Sequence, residues 1–244
     1  LMFESLKKEV PGKFIAFIIY LIFAITLILQ PDIGQTILIT LTASIIYFIT
    51  GMPLFVGFII FLLSLTGTAL SYLYLDHFSQ RLNIFFNPSS GDTYQIDTAN
   101  SAINNGGWFG VGPGDGVIKN ILPDAHTDFI FSVAAEEFGL MTCFIIILLY
   151  AFIVFRGVSR SLSQEDLFAK IASIGLISLI CIQVGINIAV NLGIIPTKGM
   201  TLPFISYGGS SAISIAITFG LILAFTRVRK NSFKYSTRRI HFQS

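Results

Sequence analysis

The sequence predicts an all-α, polytopic membrane protein of about six transmembrane helices. Three observations carry this. Residues of hydrophobic type make up 54% of the chain against 11% charged, with mean hydropathy +0.80, whereas a soluble domain carries about 25% charged residues. Six apolar runs fall at 14–30, 34–50, 53–75, 135–155, 169–190 and 208–226, each near the roughly 20 residues that cross the hydrocarbon. The cations are distributed unevenly. With the N-terminus in the cytoplasm, Lys7, Lys8, Lys13, Arg156, Arg160, Lys170, Arg227, Arg229, Lys230, Lys234, Arg238 and Arg239 fall inside, and only Arg81, Lys119 and Lys198 outside. Positive charge retained in cytoplasmic loops fixes that orientation.

The first two runs are helices rather than barrel strands, because "FIAFIIYLIFAITLIL" shows no alternation. Between them "QPD" makes a tight outer turn in which Asp32 caps the following helix. The third run leads into an extracytoplasmic loop, 76–134, and a second outer loop covers 191–207. Cys143 and Cys181 lie within spans, so neither suggests a disulfide framework or a zinc site. The basic tail, 227–244, reads as a juxtamembrane retention signal beside anionic lipid, not a nucleic-acid arm. "LMFESLKKEV" has no apolar core of the kind a cleaved signal needs, and the chain opens on Leu1, not Met.

The long loop holds Asp76, Asp92, Asp97, Asp115, Asp124 and Asp128. Tyr94, Ile96, Ile103, Trp108 and Phe109 suit a short helix or an interfacial contact, so the loop should be ordered and folded onto the bundle. In "GWFGVGPGDGVIK", Gly110, Gly112, Gly114 and Gly116 alternate without the Gly-Lys-Ser/Thr ending of a phosphate loop. Two readings stand: a re-entrant turn in which glycine permits positive φ, or a nest of backbone N–H groups for an anion such as diphosphate.

"ILPDAHTDFIFSVAAEEFG", 121–139, gathers Asp124, His126, Asp128, Glu136 and Glu137. Thr127 is the expected cap of a helix starting at Asp128, whose dipole would hold that carboxyl low. Glu136 and Glu137 then fall two turns into a span, where ionisable groups are costly and point to function. A carboxylate pair four residues apart with a nearby histidine suits a divalent cation or a general base. In "NLGIIPTKGMTLPFISYGGSS", prolines break the helix. Lys198 is either a snorkelling anchor or a phosphate contact, and small residues open the last span.

"QPDIG", "GWFGVGPGDGVIKNILPDAHTDFIFSVAAEEFG" and "PTKGMTLPFISYGGSS" resemble, in order across nearly the whole chain, the signature segments of the SEDS family (shape, elongation, division and sporulation), and the last is closest to its cell-division branch. The resemblance implies a peptidoglycan glycosyltransferase that polymerises lipid II, a disaccharide-pentapeptide on undecaprenyl diphosphate, at the outer face of the bacterial inner membrane during septal wall synthesis. It implies a class B penicillin-binding protein and other divisome membrane proteins as partners, and a divalent cation, Mg²⁺ or Mn²⁺. The family's essential aspartate falls on Asp128, as general base, or as an orienting group or metal ligand. Lys119 and Lys198 become candidate diphosphate contacts, with Arg81 further off. Asp124, His126, Glu136, Glu137, Ser206, Gly208 and Gly209 complete the candidate substrate-binding set. The family has about ten spans, so the six here correspond to its C-terminal portion. A lipid II flippase and a non-catalytic division scaffold are the rival readings. The span middles are nearly all apolar, Gln183 and Asn187 aside, which weighs against a transport path.

Overall fold

A computed structural model describes residues 12–30, 32–51, 76–87, 93–197 and 199–227, with isolated positions between 57 and 73. The third apolar run, Lys198 and nearly all of the basic tail thus lie outside the described residues, as does the Arg81 side chain. The described helices are α1 (Gly12–Leu29), α2 (Ile33–Ile49), α3 (Asp76–Phe86), α4 (Tyr94–Gly106), α5 (Ile130–Leu162), α6 (Leu167–Asn191) and α7 (Gly209–Thr226), with one 3-10 turn at Ile118–Asn120. Five of the six predicted runs are therefore helical. Among the described residues α5, α6 and α7 are long and apolar enough to cross a membrane, and the apolar parts of α1 and α2 are slightly shorter.

The α1–α2 turn forms as its sequence dictates: the Asp32 carboxylate accepts from Gln35 N at 3.1 Å and caps α2. Helix α6 is the centre of the bundle, packing against α2, α4, α5 and α7. Its buried Ile177, Ile180 and Val184 meet Phe131, Cys143 and Tyr150 of α5 and Ile222 of α7. The opposite faces of α5 and α7 leave Phe144, Leu148, Phe152, Phe155, Ile213, Ile217 and Leu223 uncovered, as lipid-facing helices should. Outside the spans, α4 lies on α5 and α6, and buried Ala99 joins Leu122, Ala125, Phe129, Val133 and Val190 in a second, smaller core.

The run at 135–155 differs from the sequence reading. Helix α5 is broken at Gly139 (φ 81°, ψ 172°). In an unbroken helix Leu140 and Met141 would donate to the carbonyls of Glu136 and Glu137. Here those carbonyls accept instead from Val111 N (2.9 Å) and Gly112 N (3.1 Å), while Leu140 and Met141 donate to Gly107 O (2.9 Å) and Trp108 O (3.3 Å). The glycine-rich strap, 106–112, has inserted itself into the helix ladder and satisfied these four groups. The membrane-crossing part thus starts near Leu140, and the roughly 23 residues to Leu162 rise about 34 Å, enough for the bilayer. Glu136 and Glu137 precede it, on an outer half-helix. The break separates them from that part, and their carboxylates meet donors from 105–119 within the protein.

Close approach explains the glycines. A Cβ on Gly139 would stand 2.4 Å from Trp108 O, and one on Gly106 1.9 Å from Ala135 O, both backbone atoms that cannot swing away. Gly106→Ala is expected to unseat the strap, costing about 1–3 kcal/mol as overpacking does. A lowered unfolding midpoint in detergent and faster proteolysis within 106–112 would report it.

Candidate functional site at the outer face

The segment before α5 is a tight turn rather than the start of the helix. Asp124 adopts φ 54°, a left-handed conformation that aspartate tolerates better than most residues. Its carbonyl accepts from Thr127 N (3.1 Å), Asp128 N (3.0 Å) and Phe129 N (3.3 Å). The helix proper begins at Ile130, with Phe129 at the cap position and no side-chain cap bond, so Thr127 does not cap it; its hydroxyl donates to Asp124 O at 3.2 Å. Leu122, Ala125 and Phe129 are buried beneath the turn and hold it down, leaving Asp124 and His126 exposed and Asp128 half-buried.

Helix α6 fixes this turn through a polar stripe. Gln183, Asn187 and Asn191 recur every four residues and so share one face. Asn187 and Asn191 are almost wholly buried, and each donates to Asp128 O at 2.9 Å. Asn187 also donates to Met200 O at 2.6 Å, and Gln183 to Thr201 O at 2.9 Å. The Asn191 side-chain oxygen, Oδ1, accepts from Ser132 N (3.1 Å) and Ser132 Oγ (2.8 Å). The second outer loop is bound to the same turn: Ser206 Oγ donates to Thr127 O at 2.5 Å and accepts from Leu202 N at 2.7 Å, and Tyr207 N donates to His126 O at 2.8 Å. At Gly199 a Cβ would lie 3.5 Å from Asp128 Oδ2, so this loop passes directly over the carboxylate.

Asp124, His126, Asp128 and Ser206 are thereby assembled in one place. Burial is the main cause that pushes the Asp128 carboxyl above the ordinary aspartate range, and the neighbouring Asp124 charge adds to it. The low value expected of a helix N-terminus does not arise, because the side chain sits on the turn, not in the first helical turn.

Lys119, Glu136 and Glu137 form a separate network. The fully buried Glu136 carboxylate accepts from Asn105 Nδ2 (3.1 Å), Val117 N (2.9 Å), Ile118 N (2.8 Å) and Lys119 N (2.9 Å). The chain does build a nest of backbone N–H groups, at 117–119, and its own glutamate fills it. Lys119 is ion-paired with Glu137 and donates to Gly114 O at 3.0 Å. Gly208 and Gly209 open α7, with no side-chain cap at Gly208 and open space beside Gly209.

Among the described residues no group of three or more His, Cys, Asp or Glu side chains is placed to hold a metal. Asp124 and Asp128 remain as a pair of hard oxygen donors. Such a pair fits a cation like Mg²⁺, which is commonly held by one or two carboxylates and completes its shell with water and substrate phosphate. Sequence reasoning missed Asn105, Ser132 and Asn191. The four-residue spacing of Gln183, Asn187 and Asn191 is the signal that could have placed Asn191 on one face with the other two amides.

A helix bundle with lipid-facing flanks and, at its outer end, a half-buried carboxylate on a turn whose backbone is held by buried amides defines a membrane protein built to act at the lipid–water boundary. The chain belongs to the FtsW/RodA/SpoVE family of cell cycle proteins, whose pattern matches residues 3–231. It is 47% identical over 233 residues to a Caulobacter vibrioides protein named "Probable peptidoglycan glycosyltransferase FtsW", covering 94% of this chain and 59% of that one. A Legionella pneumophila protein of the same name is 36% identical over 229 residues, 90% of this chain and 58% of the relative. The chain thus spans under two thirds of the length of these relatives. Its fold is similar to a chain of a peptidoglycan synthase complex that coordinates polymerization and crosslinking, with TM-score 0.70, 30% identity, and coverage of 88% of this chain and 61% of that chain. It is also similar to the rod shape determining protein RodA of Thermus thermophilus, with TM-score 0.60, 25% identity, and coverage of 88% and 56%.

Proposed function

We propose that this chain forms the catalytic outer face of a peptidoglycan glycosyltransferase that polymerises lipid II, with Asp128 as general base toward the acceptor sugar hydroxyl. The observation that carries this is the Asp128 carboxyl, half-buried, raised in pKa and fixed through its own carbonyl by Asn187 and Asn191. A base is effective when its pKa moves toward the working pH, and an upward shift does that for an aspartate. The acceptor oxygen attacks the donor sugar's anomeric carbon, its proton passes to Asp128, and the bond to the undecaprenyl diphosphate breaks. Asp124 beside Asp128 would help hold a divalent cation, whose charge when bound offsets that of the leaving diphosphate; a cation on Asp128 itself is the alternative to its acting as base.

The remaining candidates divide by geometry. His126 and Asp124 are exposed beside Asp128 and suit contacts to sugar hydroxyls. Ser206, Gly208 and Gly209 shape the facing wall, with Ser206 acting through Thr127 O. Glu136 is saturated by its four donors and Lys119 is neutralised by Glu137, so the anion-binding role passes to Lys198 in this reading. The α6 amides favour the polymerase over a flippase, since loop carbonyls engage Gln183 and Asn187 and take them out of a transport path. A class B penicillin-binding protein supplying cross-links, other divisome membrane proteins and a septal location complete the proposal. They rest on the family and on the synthase-complex relative.

The test is lipid II polymerisation in proteoliposomes holding the chain and its class B partner. Glycan strands are expected, lost on chelation and restored by Mg²⁺ or Mn²⁺. Their rate should fall on the acid side as Asp128 takes up a proton, with an apparent pKa above the ordinary aspartate value, because only the ionised carboxylate accepts one. Unchanged rates after chelation would remove the cation. A flat acid limb would remove Asp128 as base, and translocation without polymer would favour the flippase.

A further inference from the structure

Trp108 and Phe109 sit at the tip of the strap, 68% and 81% exposed, and neither the fold nor the proposed chemistry uses them. Aromatic side chains this exposed are costly in water, so what they face needs an explanation.

The backbone sets their height. Trp108 O accepts from Met141 N, and Gly107 O from Leu140 N, so the tip is fastened to the first two residues of the membrane-crossing part of α5. From there the exposed apolar surface continues through Met141, Phe144, Ile145 and Leu148 toward Arg156 and Arg160 at the cytoplasmic end. Trp108 and Phe109 are therefore continuous with the lipid-facing surface, at its outer edge. That is the depth at which aromatic rings collect in membrane proteins, an apolar body in the acyl region and a polar edge among headgroups.

We propose that Trp108 and Phe109 form an interfacial anchor, inserted into the lipid of the outer leaflet beside the start of α5. The occupant is bilayer lipid, because the patch merges with the exposed apolar surface of the membrane-length helix α5. This contact is independent of the chemistry at Asp128. The anchor would register the outer half-helix, and with it the 117–136 nest, against the membrane surface.

Trp108 is the sole tryptophan in the chain, so the unmodified protein carries its own probe. With the chain reconstituted in phosphatidylcholine vesicles, a blue-shifted emission is expected, together with weak quenching by aqueous acrylamide. Lipids brominated near the glycerol end of the acyl chains should quench more strongly than lipids brominated near the methyl end. Strong acrylamide quenching with no effect of either bromolipid would overturn the anchor, as would stronger quenching from the deep bromines. Protection from acrylamide that arises only on adding the class B partner would assign the patch to a protein interface instead.

Discussion

Asp128→Asn is expected to lower the rate of lipid II polymerisation by about a hundredfold to ten-thousandfold, the usual contribution of a positioned general base. The amide keeps the size of the side chain and cannot take a proton. The Asn187 and Asn191 bonds go to the backbone carbonyl of Asp128, so they survive the substitution. The loss should therefore fall on kcat, with KM for lipid II little changed. Stability should move the other way. A raised carboxyl pKa means that the ionised form is disfavoured in the fold, so protonation contributes stability at low pH that is lost as pH rises through the folded value. At neutral pH a neutral amide relieves that cost, and the unfolding midpoint should hold or rise. A variant that polymerises like the native protein removes Asp128 from the mechanism. One that unfolds early makes it structural.

Glu136→Ala should do the reverse, harming the fold before the chemistry. It strips the shared acceptor from three backbone N–H groups and the Asn105 amide, all directed at one buried carboxylate. A buried donor left without a partner costs about 1–3 kcal/mol, and water entry recovers part of that. A net loss of about 3 kcal/mol is a large share of the stability of any domain. Glu136→Gln should recover little. The amide offers one oxygen, and its NH₂ group would be turned toward donors it cannot accept from. Thermal unfolding in detergent, with proteolysis of 106–120 as the local readout, separates this from a ligand contact. If Glu136→Gln keeps native stability while polymerisation falls, the carboxylate serves the substrate rather than the nest.

The helices were legible because lipid imposes so plain a demand on composition. Runs such as "FIAFIIYLIFAITLIL" have no other place to go, and the Asp32 cap follows from local chemistry alone. Asp128 was legible as a candidate through its motif. The break at Gly139 was not, because a single glycine in an apolar helical pattern is ordinarily absorbed, and what breaks α5 here is a strap about thirty residues earlier in sequence. The two signals lay apart: alternating glycines without a partner, and paired glutamates apparently placed in lipid. Each explains the other once the strap is known to insert at the break. The same distance hid the fate of Glu136, whose donors lie 17 to 31 residues away. Local reasoning sees a carboxylate and asks for a ligand. Only the tertiary structure shows the ligand to be the chain itself.

The α6 amides carry a consequence for how the outer face moves. The Asn187 side chain grips Asp128 O and Met200 O together, and Ser206 joins Thr127 O from the other side. The turn bearing the carboxylate and the loop arching over it are thus two jaws bolted to one hinge plate, and parting them would break these bonds. In the proposed reaction, room for a growing glycan strand would then come from elements that approach this pair from elsewhere, with the jaws as an anvil.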